Sequence, residues 1–130
     1  MAFLKQYEIL LKKAKVDLKV SKNLLEDFEN GDDELDLDVI MFHLQQSAEK
    51  LLKSLLSYSK LHYTKTHDIK SLIDALKDNN IEISIKIELF IPLTDYAVEG
   101  RYAIVHDDLS DVDKYIKKLD SLVLFVESKI

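Results

Sequence analysis

The chain contains no cysteine, which removes disulfides, thiolate zinc sites, iron–sulfur clusters and cysteine nucleophiles together. Two glycines and one proline cannot supply a Gly-rich phosphate loop, a dinucleotide-binding fingerprint or the turns of an all-β fold. The longest unbroken apolar run is the five residues Leu122 to Val126, far short of the roughly 20 that span a bilayer. Lys5 and Gln6 stand where a signal peptide needs its apolar stretch. Acidic side chains outnumber basic ones 24 to 18, a net charge of −6. Such a chain has no broad attraction to phosphate polymers, so a nucleic-acid role needs a local basic site working against the overall field. These absences lead us to expect a soluble, cytoplasmic, helical protein with no membrane segment, metal or cofactor.

What is present is helical periodicity. The 130 residues are 47% hydrophobic and 32% charged, a balance suited to one folded core and too small for two. Phe3, Tyr7, Leu10, Ala14, Leu18, Leu25 and Phe28 recur at steps of three, four or seven, predicting a helix roughly 40 Å long that stops near Gly31. A second long helix is expected from about Asp36 to Tyr58. Its buried face would be Met41, Leu44, Ala48, Leu51, Leu55 and Tyr58, with His43, Gln46, Lys50, Lys53 and Ser57 solvated opposite. Gln45 and Glu49 fall one turn apart at the edge of the apolar sector, where half-buried polar groups need partners.

A short third helix, carrying Ile69, Leu72, Ile73 and Leu76, should start near Thr66 or Asp68 and end before Asn79-Asn80. Ile81 to Ile87 alternates like a strand, but nothing else in the chain could pair with it. The stripe Ile83, Ile87, Phe90, Thr94 and Ala97 therefore predicts a fourth helix, starting or kinking around Pro92 and ending at Gly100. A last helix from about Ser110 to Glu127 would bury Val112, Tyr115 or Ile116, Leu119, Leu122 and Val126, with Ser110 or Asp111 as cap. The expected fold is all-α: a single domain over residues 1–130, an up-and-down bundle of about five helices on two long scaffold helices.

Arg101 is the one arginine among 18 basic side chains. A chain that otherwise uses lysine keeps arginine where a planar, multi-donor fork must grip carboxylate or phosphate. His106 follows five residues later, and on an unbroken helix the two would lie about 140° apart. The break at Gly100 and the restart at Ser110 could turn them together. The plainer alternative pairs Arg101 with a carboxylate such as Glu49 and leaves His106 at the surface beside Asp107 and Asp108. His67, opening the third helix, suits a hydrogen bond to a neighbouring segment. No histidines have the spacing of a helical metal site. Ile9, Val16 and Val20 line the side of the first helix away from its core face, a candidate for self-association.

Three stretches resemble the HEPN domains, helical domains of prokaryotes and eukaryotes. Phe42 to Lys53, with Gln45-Gln46 and Ala48-Glu49-Lys50, is similar to the family's second-helix signature. Lys65-Thr66-His67-Asp68-Ile69 is similar to its Thr-His-Asp element, and Leu93 to Tyr102 to its Arg-Tyr motif. The resemblance implies a homodimer whose Arg motifs share a cleft. In the family's ribonucleases the signature is Arg, four to six residues, then His, and Arg101 with His106 satisfies it. It implies a metal-independent, toxin-like endoribonuclease that leaves 2′,3′-cyclic phosphate ends, with RNA or a nucleotide as ligand and a minimal nucleotidyltransferase antitoxin as partner. Arg101 and His106 would be catalytic, with Glu49, Gln45, Tyr102 and His67 supporting or binding. The alternative within the resemblance is a non-catalytic nucleotide-binding or interaction module that complements the nucleotidyltransferase. Tyr102 stands where the ribonuclease motif usually has a polar residue. Asp108 occupies the position of the tyrosine that partner nucleotidyltransferases modify.

Overall fold

Apolar residues three and four apart build α1 over Gln6–Glu29 and α2 over Leu37–Tyr58. A computed structural model describes residues 5–32, 37–63, 65–97 and 109–130, with only the backbone of 109 and 110. Further along are α3 (Ile69–Asp78), a 3₁₀ helix (Ile87–Tyr96) and α4 (Leu109–Lys129). No strand occurs among the described residues. The all-α bundle with two long scaffold helices is as expected.

Contacts fix how the long helices run. Tyr7 meets Tyr58 and Asp17 meets His43, so α1 and α2 are antiparallel. Lys15 bonds Glu127 and Lys22 bonds Asp120, so α4 also runs antiparallel to α1. Ala14, Ser47 and Ala48 are buried between α1 and α2, and the Ser47 hydroxyl donates to the Ala14 carbonyl at 2.9 Å. Small side chains here allow the two backbones to approach closely. α2 is the hub, touching α1, α3, the 3₁₀ helix and α4. Its Leu44, Leu51, Leu52 and Leu56 are fully enclosed, each contributing roughly 1.5–3 kcal/mol of burial.

A hub helix leaves little solvated face, and this corrects the expected one. His43 and Lys50 are half-buried on Asp17 of α1, and Lys53 is half-buried on Glu49. Tyr58 is the reverse case: it is 43% exposed, its ring meeting Tyr7 edge-on. On α1, Leu10, Ala14 and Leu18 are buried as expected, while Val16 on the outer side is 55% exposed. Phe3 lies outside the described residues.

Three helices end in the same way. Gly31 (φ +99°), Lys60 (φ +58°) and Asn80 (φ +58°) each adopt the left-handed conformation just past α1, α2 and α3. The next amide in each case bonds back five residues: Asp32 to Asp27, Leu61 to Leu56 and Ile81 to Leu76, as in a Schellman motif. Glycine and asparagine suit this conformation; lysine is strained in it by roughly 1 kcal/mol. Lys60→Gly should therefore raise the thermal midpoint by about 3 °C, read by calorimetry, and an unchanged or lower midpoint would show Lys60 unstrained.

The α3 start at Asp68 is as expected: its carboxylate accepts from the Lys70 amide at 3.1 Å. Two expectations fail. Residues 81–86 are not helical, and the 3₁₀ helix buries Ile87, Phe90 and Leu93, every third residue. That is the 3₁₀ period, not the 3.6-residue stripe through Thr94 and Ala97. Pro92, inside the segment and lacking an amide hydrogen, cannot enter an α-helical ladder. Ile81, Ile83 and Ile85 instead pack one side of an irregular strap against the core. At α4, Leu109 is already helical, so Ser110 and Asp111 lie in its first turn and do not cap it. Ile116, not Tyr115, is the buried member of that pair. Gly100 lies outside the described residues.

Candidate functional site

Gln45, Glu49 and Lys53 sit at four-residue intervals on one side of α2, the side that meets the start of α3. Gln45 is fully buried and Glu49 is 4% exposed, so the edge of the apolar sector does hold both. They bond one another, Gln45 Nε2 donating to Glu49 Oε1 at 2.9 Å. His67 Nδ1 lies 2.8 Å from the same oxygen, and Lys53 Nζ donates to Glu49 Oε2 at 2.9 Å. Gln45 also reaches the His67 carbonyl at 3.4 Å and accepts from Gln46 Nε2 at 2.6 Å. The Lys53 ammonium is 6.0 Å from the Tyr63 ring centroid, within cation–π range.

Burial pushes the Glu49 carboxyl up, but the hydrogen bonds from Lys53, Gln45 and His67, with the Lys53 charge, outweigh it. The group is held below the ordinary carboxylate value and is ionised at neutral pH. A carboxylate only accepts, so the nitrogen His67 turns towards it must carry the proton. That leaves Nε2 on the far side of a ring that is 62% exposed.

The 3₁₀ helix is tied to the start of α3. The Ile69 amide, first in α3, donates to Thr94 Oγ1 at 3.1 Å, tying the His67 segment to the end of the 3₁₀ helix. Arg101 follows Ala97 by four residues, a chain reach of at most about 14 Å. The Tyr96 phenol is pushed up to about 12, by burial first and then by the neighbouring Asp38, Tyr115, Asp95 and Asp111. Tyr96 thus shares its surroundings with the first turns of α2 and α4.

Arg101, Tyr102 and His106 lie outside the described residues. Glu49, Gln45 and His67 are brought together, and Glu49's partners there are Gln45, His67 and Lys53. Lys53, expected to be solvated, is the further member of the site, one helical turn beyond Glu49. Among the described residues, no group of three or more His, Cys, Asp or Glu side chains could hold a metal ion. None of the described helices is long and apolar enough to cross a membrane.

Comparison with known proteins follows the same lines. Residues 7–129 match the family model described as the HEPN domain. An archaeal HEPN homologue of known crystal structure is 19% identical, with a TM-score of 0.65 over 97% of this chain and 98% of that one. A search of curated proteins found no match.

Proposed function

The chain belongs to the HEPN family, and from that premise we propose that it is a metal-independent endoribonuclease acting as a homodimer, with Arg101 and His106 as its catalytic pair. The observation that carries this reading is the Arg-x4-His spacing of Arg101 and His106. Its support is the match of residues 7–129 to the HEPN family model. His106 would move a proton to or from the ribose 2′-hydroxyl or the leaving oxygen, and Arg101 would stabilise charge building on the phosphate. A two-fold cleft would place two such pairs on one RNA. The products would carry 2′,3′-cyclic phosphate ends, and a minimal nucleotidyltransferase would serve as antitoxin.

Purified protein incubated with mixed RNAs in a chelator should cleave them. Arg101→Ala and His106→Ala should each lower the rate by about 100-fold or more, and the ends should resist ligation by a 3′-hydroxyl-dependent ligase until the cyclic phosphate is opened and the phosphate removed. No cleavage by a clean dimer would overturn the proposal, and a monomer at micromolar concentration would remove the shared cleft.

A second reading is favoured by charge. Asp38, Asp95 and Asp111 surround Tyr96 at the base of the motif segment, and Asp107 and Asp108 follow His106 directly. An acidic approach repels RNA, which suits a non-catalytic module that binds a nucleotide or completes a nucleotidyltransferase partner. Binding to such a partner by a chain inert towards RNA would select it.

A further inference from the structure

Ile81 to Ile87 alternates like a strand that lacks a partner, and the folded chain keeps that alternation. Residues 81–86 belong to neither helix nor sheet. Their side chains still follow the strand period: Ile81, Ile83 and Ile85 are half-buried against the core, whereas Glu82, Ser84 and Lys86 are exposed. The Ile81 amide bonds the Leu76 carbonyl, while the amides of residues 82–86 have no partner among the described residues. An open groove of about 630 Å³, lined by this strap, Leu76 and Phe125, runs beside it. Unpaired amides above an apolar layer form an edge that another extended segment can join.

We infer that the strap is a docking edge for a second copy of this chain, the two straps pairing antiparallel about a two-fold axis at Ser84. In that register the segment is its own complement. Ile83 stands opposite Ile85 of the second copy and Glu82 opposite its Lys86, and the axis repeats both pairs. The isoleucines face the two cores and the opposite charges face solvent, so each pair is favourable on its own side of the ribbon. With the axis at Ile83 or Ile85 both charge pairs are lost. A two-stranded ribbon is marginal alone, but the inner face of this one rests on two cores. The strap bends at Ser84 and Ile85, so pairing must straighten it, which keeps the association weak. Tyr58 and Lys129, the last residues of α2 and α4, border Ile81 and Glu82. The chain leaves for Arg101 from Tyr96 and Ala97, beside the first turns of those helices. This contact is therefore separate from the shared cleft and does not rest on the ribonuclease reading.

Sedimentation of the whole chain over a concentration series reads the contact. Glu82→Lys and Lys86→Glu each set like charges opposite one another twice, and each should weaken association about tenfold. The double substitution exchanges the two charges and should return association to within about threefold of wild type. Both side chains are exposed, so circular dichroism melts should stay unchanged. Ser84→Cys gives the chain a single thiol, since the sequence has no cysteine. Directly opposed antiparallel residues stand about 4.5–5.5 Å apart at Cα, within reach of a disulfide. Mild oxidation should therefore link Ser84→Cys chains into dimers much faster than Ser121→Cys chains, whose thiol would be exposed on α4. Single substitutions that leave association unchanged, a double substitution no better than the singles, or equal linking of the two cysteine variants overturns this contact alone. A wild-type chain still monomeric at about 1 mM overturns this contact and the shared cleft together.

Discussion

Glu49→Ala should lower the unfolding free energy by about 3 kcal/mol near neutral pH, measured by urea denaturation. The carboxylate is 4% exposed and receives three hydrogen bonds, from Gln45, His67 and Lys53. Removing it leaves the ammonium of Lys53, whose side chain is only 13% exposed, without its counter-charge, and a fully buried Gln45 amide with only the His67 carbonyl, at 3.4 Å, to donate to. Each orphaned group costs its own desolvation, which is why deleting one partner of a buried pair is worse than never having the pair. Glu49→Gln keeps the volume and one acceptor, and should recover about half of the loss.

The same loss has a pH signature. In the folded chain Glu49 loses its proton more readily than an ordinary carboxyl, because the hydrogen bonds and the Lys53 charge outweigh burial. A depressed pKa contributes stability that is fully present above the unfolded value of 4.5 and disappears as pH falls through the lower folded value. The gap between wild type and Glu49→Ala should therefore be widest near pH 7 and narrow towards about pH 3. A gap independent of pH, or one below about 1 kcal/mol at neutrality, would show that the cluster does not hold Glu49 ionised.

This cluster also marks where the sequence was legible. Gln45 and Glu49 stood out because angular position alone put two polar side chains where apolar ones belong, and burial is what angular position reports. Lys53, Lys50 and His43 were misassigned for a complementary reason. Periodicity treats every charged residue as solvated, whereas Asp17, which holds Lys50 and His43, arrives from another helix. A long aliphatic stem lets lysine be half-buried while its charge finds such a partner. The segment from Ile81 to Tyr96 misled in another way. Its isoleucines fit both a period of two and a period near 3.6, while the actual register is three, imposed by Pro92. Helix ends were better marked, since Gly31 and Asn80 are residue types that accept a left-handed conformation, but Lys60 gave no such sign. Arg101 and His106 drew attention through rarity and spacing, which carry chemistry without geometry.

Phe90→Ala should be at least as damaging, at about 4 kcal/mol. A 3₁₀ helix has poorer hydrogen-bond geometry than an α-helix and is uncommon beyond a few residues, and Pro92 removes a donor from this one. Ten residues in this conformation must therefore be held from outside. Ile87, Phe90 and Leu93 do this from one face, and Phe90 is the largest of the three, fully buried with its ring 6.3 Å from that of Tyr115 on α4. Alanine would leave a cavity where α2, α4 and the 3₁₀ helix meet, whereas Phe90→Leu keeps most of the volume and should cost about 1.5 kcal/mol. Hydrogen exchange should localise the damage: amides of residues 87–96 should lose protection first, ahead of those at the centre of α2. Uniform loss across the chain would mean that this segment is not separately anchored, and a cost for alanine below about 1.5 kcal/mol would mean that Phe90 does not secure it.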